Sequence, residues 1–140
     1  MSGAPSPPLL LDTHALIWLV EGDAQLAAAA QRAIAAAPSL WISAITLWEI
    51  GMLVAKGRLT LAKDVQEWMD EVLALPGLRL AALSPAIAIA SSRLPGELHG
   101  DPADRLIAAT ARHLDATLIT ADVKLLGYGA AGHLKVLAAR

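Results

Sequence analysis

Short apolar runs alternate with stretches of helical periodicity along this chain. Leu9, Leu10 and Leu11 form an unbroken apolar run that stops at Asp12, the pattern of a strand covered on both faces. Residues 13–20 predict a short helix, and residues 24–36 a longer one closed by Pro38. A second strand is expected over 40–43. Ser43 is then placed to cap a helix over 44–56 that Gly57 ends. Residues 63–75 are the most clearly amphipathic, with Val65, Trp68, Met69, Val72 and Leu73 on one face. That stripe suits either the core or a groove for a partner helix, and the core is preferred. After the Pro76-Gly77 break, residues 78–82 predict a third strand. Ser84-Pro85 and Asp101-Pro102 each pair a capping residue with proline at the first helical position. They open helices running to about Arg93 and to His113 or Leu114, with a loop over 95–100 between them. Residues 117–120 and 134–137 predict the fourth and fifth strands, with Gly127, Gly129 and Gly132 expected in the loop between.

Strands alternating with helices imply right-handed crossovers and an α/β fold, with helices on both faces of a mainly parallel sheet of four to five strands. The length, 140 residues, fits one domain over 9–140 after a disordered tail, 1–8, that contains Pro5, Pro7 and Pro8. A hydrophobic content of 56% raises the question of a membrane. However, no run approaches the ~18–20 apolar residues that a spanning helix needs. The absence of cysteine excludes disulfides, thiolate zinc sites and cysteine nucleophiles. A cytoplasmic protein is expected. The net charge of −2 argues against indiscriminate binding of nucleic-acid phosphates. High apolar content with few charges also fits a dimer or a protein partner.

Against this background, four acids stand where a charge is costly. Asp12 ends the first strand, Glu49 lies within the apolar stretch 45–54, Asp104 sits in the first turn of its helix, and Asp122 follows the fourth strand. Each has a local explanation. Asp12 and Asp122 suit helix caps, Glu49 has Lys56 or Arg58 as a potential ion-pair partner, and Asp104 follows the cap Asp101 at a position the helix dipole favours. None of these explanations predicts that the acids converge. In a parallel sheet the carboxyl ends of the strands form the ligand edge, and all four acids can reach it. Oxygen donors without cysteine or a histidine motif suit Mg²⁺ or Mn²⁺. With Asp12, Asp104 and Asp122 as ligands, and Glu49 either positioning the ion through water or orienting the nucleophilic water, hydrolysis of a phosphodiester becomes feasible. His14 and His99 are candidates for supporting groups on the same rim.

The segments Leu10-Leu11-Asp12-Thr13-His14, Ser43-Ala44-Ile45-Thr46-Leu47-Trp48-Glu49-Ile50, Asp101-Pro102-Ala103-Asp104-Arg105 and Leu118-Ile119-Thr120-Ala121-Asp122 resemble the PIN domain. More narrowly, they resemble VapC toxins of type II toxin–antitoxin modules. The resemblance implies a three-layer α/β/α sandwich and a magnesium-dependent endoribonuclease. It further implies a homodimer inhibited by a VapB-like antitoxin, with Asp12, Glu49, Asp104 and Asp122 as the four acids of the site. Asp101 is extra to that set and reads as a cap that is also a candidate metal contact. For the RNA that the resemblance implies, Lys56, Arg58, Arg105 and Lys124 are candidate contacts, with solvated surface the preferred role for each. A receiver-like module is the competing acidic α/β architecture, but it wants an acid ending a middle strand and a lysine ending a late one. A phosphatase of the haloacid-dehalogenase type would want Asp-x-Asp where the chain has Asp12-Thr13-His14. A PIN-like module that binds without turnover is the other alternative. No phosphate-binding glycine loop, GxSxG elbow or HExxH zinc motif is present.

Overall fold

The computed structural model describes residues 7–140. In chain order its first half comprises β1 (Leu9–Leu11), α1 (Thr13–Glu21), α2 (Ala28–Ala36), β2 (Leu40–Ser43), α3 (Ala44–Ala55) and α4 (Val65–Leu73). Then follow β3 (Leu78–Ala81), α5 (Pro85–Ser92), α6 (Pro102–Leu114), β4 (Thr117–Thr120), α7 (Val123–Ala130) and β5 (Lys135–Ala138). The five strands are all parallel, in the order β3-β2-β1-β4-β5. The chain builds outward from β1 in one direction and, after α6, resumes on its other side. Between β1 and β4 the winding therefore reverses, which opens a crevice at the carboxyl ends of those strands.

Alternation along β1 sorts the core into two layers. Leu9 and Leu11 pack with Leu16, Ile17, Ala30, Ile50, Trp68 and Val72 on one face of the sheet. Leu10 packs with Ile107, Ala108, Ala111, Leu118, Leu125 and Tyr128 on the other. Helices thus cover both faces, giving the expected three layers. Each fully buried leucine contributes roughly 1.5–3 kcal/mol, so β1 is anchored from both sides. Most of the α4 stripe belongs to the core: Trp68 is 2% exposed, Val72 is fully buried, and Val65 and Met69 pack against the same cluster, whereas Leu73 turns outward at 43% exposed. Among the described residues no helix is long and apolar enough to cross a membrane. Residues 1–6 of the expected tail lie outside the described residues, whereas the Pro8 carbonyl accepts the Thr117 N–H at 2.8 Å.

Two elements differ from the sequence expectation. The α2 helix begins at Ala28, not at 24, because the Asp23 carboxylate holds the Gln25 N–H in a turn (2.9 Å) and the Ala27 N–H bonds the Ala139 carbonyl (2.8 Å). The second difference is larger. Gly127 and Gly129, expected in a loop, lie inside α7. Gly129 is there for proximity: a Cβ built on it would stand 2.3 Å from Val136 Cγ2 on β5. The intervening Tyr128 is buried, and its hydroxyl donates to the Pro95 carbonyl. Tertiary packing, not local propensity, holds this helix together.

The two glycines should respond oppositely to alanine. Gly127→Ala meets nothing within 4 Å and should stabilise the fold by up to about 1 kcal/mol. Gly129→Ala gains the same propensity but overpacks against Val136, and should be destabilising by about 1–3 kcal/mol on balance. Urea denaturation of both variants provides the measurement; equal shifts would contradict the close packing of α7 on β5.

Candidate active site

The crevice between β1 and β4 is lined by polar groups that the backbone itself positions. Asp12 follows β1 directly and caps α1, its Oδ1 accepting the Ala15 N–H at 2.9 Å. Its Oδ2 accepts the hydroxyl of Thr120, the last residue of β4. Thr120 Oγ1 in turn accepts the Asp122 N–H at 3.0 Å. Asp122 caps α7 through Oδ1, which accepts the Leu125 N–H at 3.0 Å. Both acids fill the local capping roles read from sequence, and they converge as well. Capping occupies one oxygen of each and fixes the rotamer without consuming the group.

On the neighbouring side, Glu49 of α3 accepts the Thr13 hydroxyl at 2.6 Å. Thr13 is buried, and its Oγ1 also lies 3.4 Å from Thr46 Oγ1, so hydroxyls bind α1 to α3 beneath the carboxylate. Asp101 caps α6, with Oδ1 accepting the N–H groups of Ala103 (2.9 Å) and Asp104 (3.2 Å). Asp104 lies one turn into α6 and is half-buried. Among the described residues no hydrogen bond reaches its carboxylate.

Electrostatics show that these groups share one neighbourhood. Burial pushes the Asp104 carboxyl up to about 7, reinforced by repulsion from Asp122, Asp101, Glu49 and Asp12 in that order. Asp12 is raised by burial, against the opposing hydrogen bonds from Thr120 and Ala15. Glu49 is raised by burial too, opposed by Thr13 and reinforced by Asp101 and Asp12. His14, exposed at the rim with its ring 6.0 Å from that of Trp18, favours the charged forms of Asp12 and Glu49. The ion pairs among the described residues are Lys63–Glu71 and Lys135–Asp115, neither of which involves the clustered acids. A set of hard oxygen donors, partly desolvated, mutually repelling and outside the ion pairs found among the described residues, fits a divalent cation. Among the described residues no three acids or histidines already surround one point closely enough to form a finished metal cage, so an ion would have to draw the carboxylates together.

Two cavities flank the acids. One of 410 Å³ is lined by Asp12, His14, Trp18, Gln25, Asp122 and Arg140, among others. The other, of 510 Å³, is lined by residues including Ile45, Trp48, Glu49, Leu83 and Asp101. Of the basic residues singled out from sequence, Arg105 is engaged in structure. Its guanidinium donates to the Ser91 carbonyl (2.9 Å) and the Leu98 carbonyl (2.7 Å), mooring the loop that leads to Asp101. Lys56, Arg58 and Lys124 are exposed, as is His99 on that loop. Sequence reasoning passed over Thr120 and Arg140. A hydroxyl ending a strand two residues before an acid is a usable signal for the first; nothing local signals the second.

Comparison with known proteins gives a consistent picture. The PIN domain family profile matches residues 9–129. Ribonuclease VapC22 of Mycobacterium tuberculosis (strain ATCC 25618 / H37Rv) is 35% identical over 117 residues, covering 84% of this chain and 88% of that protein. A toxin–antitoxin complex from Klebsiella pneumoniae superposes with a TM-score of 0.64 at 29% identity, covering 94% of this chain and 98% of the other. VapBC2 from Rickettsia felis, bound to a promoter DNA fragment, shares the fold with a TM-score of 0.69 at 20% identity, covering 95% and 99%.

The raised Asp104 carboxyl sets a pH dependence of stability. Its unfolded value is near 4 and its folded value about 7, so in that window the folded chain holds the proton more tightly. Without metal, stability should therefore fall as pH rises from 4 through 7. Asp104→Asn should flatten that fall and raise the melting temperature at pH 8 in chelator by about 3 °C or more. Saturating Mg²⁺ should stabilise the wild type more than the variant. Calorimetry over this range is the check, and parallel pH profiles for the two proteins would contradict it.

Proposed function

Because the chain belongs to the PIN-domain family, we propose that it is a Mg²⁺- or Mn²⁺-dependent endoribonuclease, the toxin of a VapBC-type toxin–antitoxin pair. The observation that carries this reading is the shared neighbourhood of Asp12, Glu49, Asp104 and Asp122 at the carboxyl edge of the sheet, with Asp104 pushed up to about 7 and no basic partner among the described residues. The ribonuclease name of the relative from Mycobacterium tuberculosis, at 35% identity, supports the choice of substrate class. A receiver-like signalling role falls with the family match.

Asp12, Asp104 and Asp122 are assigned to hold the ion. When bound, it would polarise a phosphodiester, favour hydroxide over water and stabilise the departing oxygen. The chain's own residues prepare that site. Thr120 locks Asp12 against rotation, as hydrogen bonds behind metal ligands commonly do. Thr13 holds one oxygen of Glu49, leaving the other to orient a water toward the scissile phosphate. Asp104, without a hydrogen bond among the described residues, has the charge that depends most on a cation.

The partners follow from surface and likeness. Trp48 (58% exposed), Leu83 (40%) and Ile89 (55%) leave apolar area uncovered, which supports a homodimer. The toxin–antitoxin complexes among the structural neighbours support a VapB-like antitoxin. An RNA substrate agrees with a cytoplasmic location.

Purified protein should cleave labelled single-stranded or structured RNA with Mn²⁺ or Mg²⁺ and not with chelator, and the metal concentration giving half-maximal rate should fall as pH rises, because protons compete with the cation for the Asp104 carboxyl, which sits at about 7 without metal. Asp12→Asn and Asp104→Asn should each lower the rate by about 100-fold or more. Undiminished cleavage by folded Asp104→Asn would refute the assignment. RNA binding without any turnover would identify a silent binding module instead.

A further inference from the structure

The cavity over Asp12 and Asp122 is lined by one permanently charged cation, Arg140, and contacts on several sides fix its position. The preceding residue, Ala139, is fully buried; its N–H donates to the Thr120 carbonyl at 2.8 Å and its carbonyl accepts the Ala27 N–H at 2.8 Å. The guanidinium lies 5.4 Å from the Trp18 ring centroid, a cation–π arrangement. Its Nη1 donates to Gln25 Oε1 at 2.9 Å. Gln25 is itself oriented, with its backbone N–H and its Nε2 donating to the Asp23 carboxylate at 2.9 and 3.4 Å.

Long surface side chains stay mobile unless several contacts hold them. Arg140 is so held, yet among the described residues it forms no ion pair with Asp12 or Asp122, so neutralising those acids does not explain the clamp. The bond to Gln25 uses one N–H of a guanidinium that carries five. A fixed fork of donors beside an acidic centre, and not spent on it, suits the oxygens of a phosphate. The cavity on the Glu49 side is lined by no lysine or arginine, which gives the cleft a basic end and an apolar end.

We propose that Arg140 binds a backbone phosphate of the RNA strand next to the one being cut and thereby positions the strand over Asp12 and Asp122. This rests on the ribonuclease reading. The test is steady-state cleavage of a labelled single-stranded RNA in Mg²⁺ across about 50–300 mM KCl. Arg140→Ala should raise KM about tenfold with kcat within about threefold. It should also make the slope of log(kcat/KM) against log salt shallower by about 0.7, the increment of one single-strand phosphate contact. Arg140→Lys should retain the wild-type slope. Gln25→Leu, which keeps the charge but releases the clamp, should raise KM at unchanged slope; these two variants decide the matter if Arg140→Ala fails to fold. Wild-type KM and slope in folded Arg140→Ala would overturn the proposal, and so would a loss confined to kcat. If the wild type cuts RNA and the variant cuts it equally well, only this proposal fails. If the wild type cuts no RNA, the ribonuclease reading fails and takes the phosphate site with it.

Discussion

The hydrogen bond from the Thr120 hydroxyl to the Asp12 carboxylate joins the ends of the two strands at which the sheet reverses its winding. Thr120 is fully buried and Asp12 nearly so. In water such a bond contributes little net; inside a dry crevice, leaving it unmade would cost the full desolvation of both groups. Because Thr120 Oγ1 also accepts the Asp122 N–H, one hydroxyl fixes the spacing of two acids on different strands. Asp104 is brought in from a third element, α6, which packs against β4 and against the same face of β1 through Ile107 and Ala108. The site is therefore a property of the sheet's centre and not of any loop.

Such an arrangement sets site chemistry against stability. Leu9, Leu10 and Leu11 bury apolar surface on both faces, while one residue further on the chain confines like charges that repel. The excess stability at the sheet centre is what tolerates the unfavourable cluster at its edge. A divalent cation bound there would reverse the sign of that local balance and so link folding to metal binding.

Much of this was legible in the sequence because the relevant signals are local. Apolar runs located all five strands, and capping residues followed by proline marked the starts of α5 and α6. The acids were legible as anomalies, and the Asp12 and Asp122 caps were correctly anticipated. What escaped depended on distance. Gly129 reads as a break until β5 is seen against it. Arg105 reads as a free surface cation until the Ser91 and Leu98 carbonyls appear around it. Arg140 is unremarkable until Thr120, Trp18 and Gln25 gather beside it. Periodicity reports which face a residue occupies; it cannot report which distant segment arrives there.

Asp12 and Thr120 are separated by 108 positions, and β4 reaches β1 only after the intervening crossovers are in place. During synthesis the first acid emerges long before its partner hydroxyl, Asp104 and Asp122. Parallel pairing over such separations is slow and comes late in folding. A nascent chain whose β4 has not yet emerged thus holds its acids dispersed, and the RNA-rich machinery that makes the protein is not exposed to the completed edge until that strand has left it.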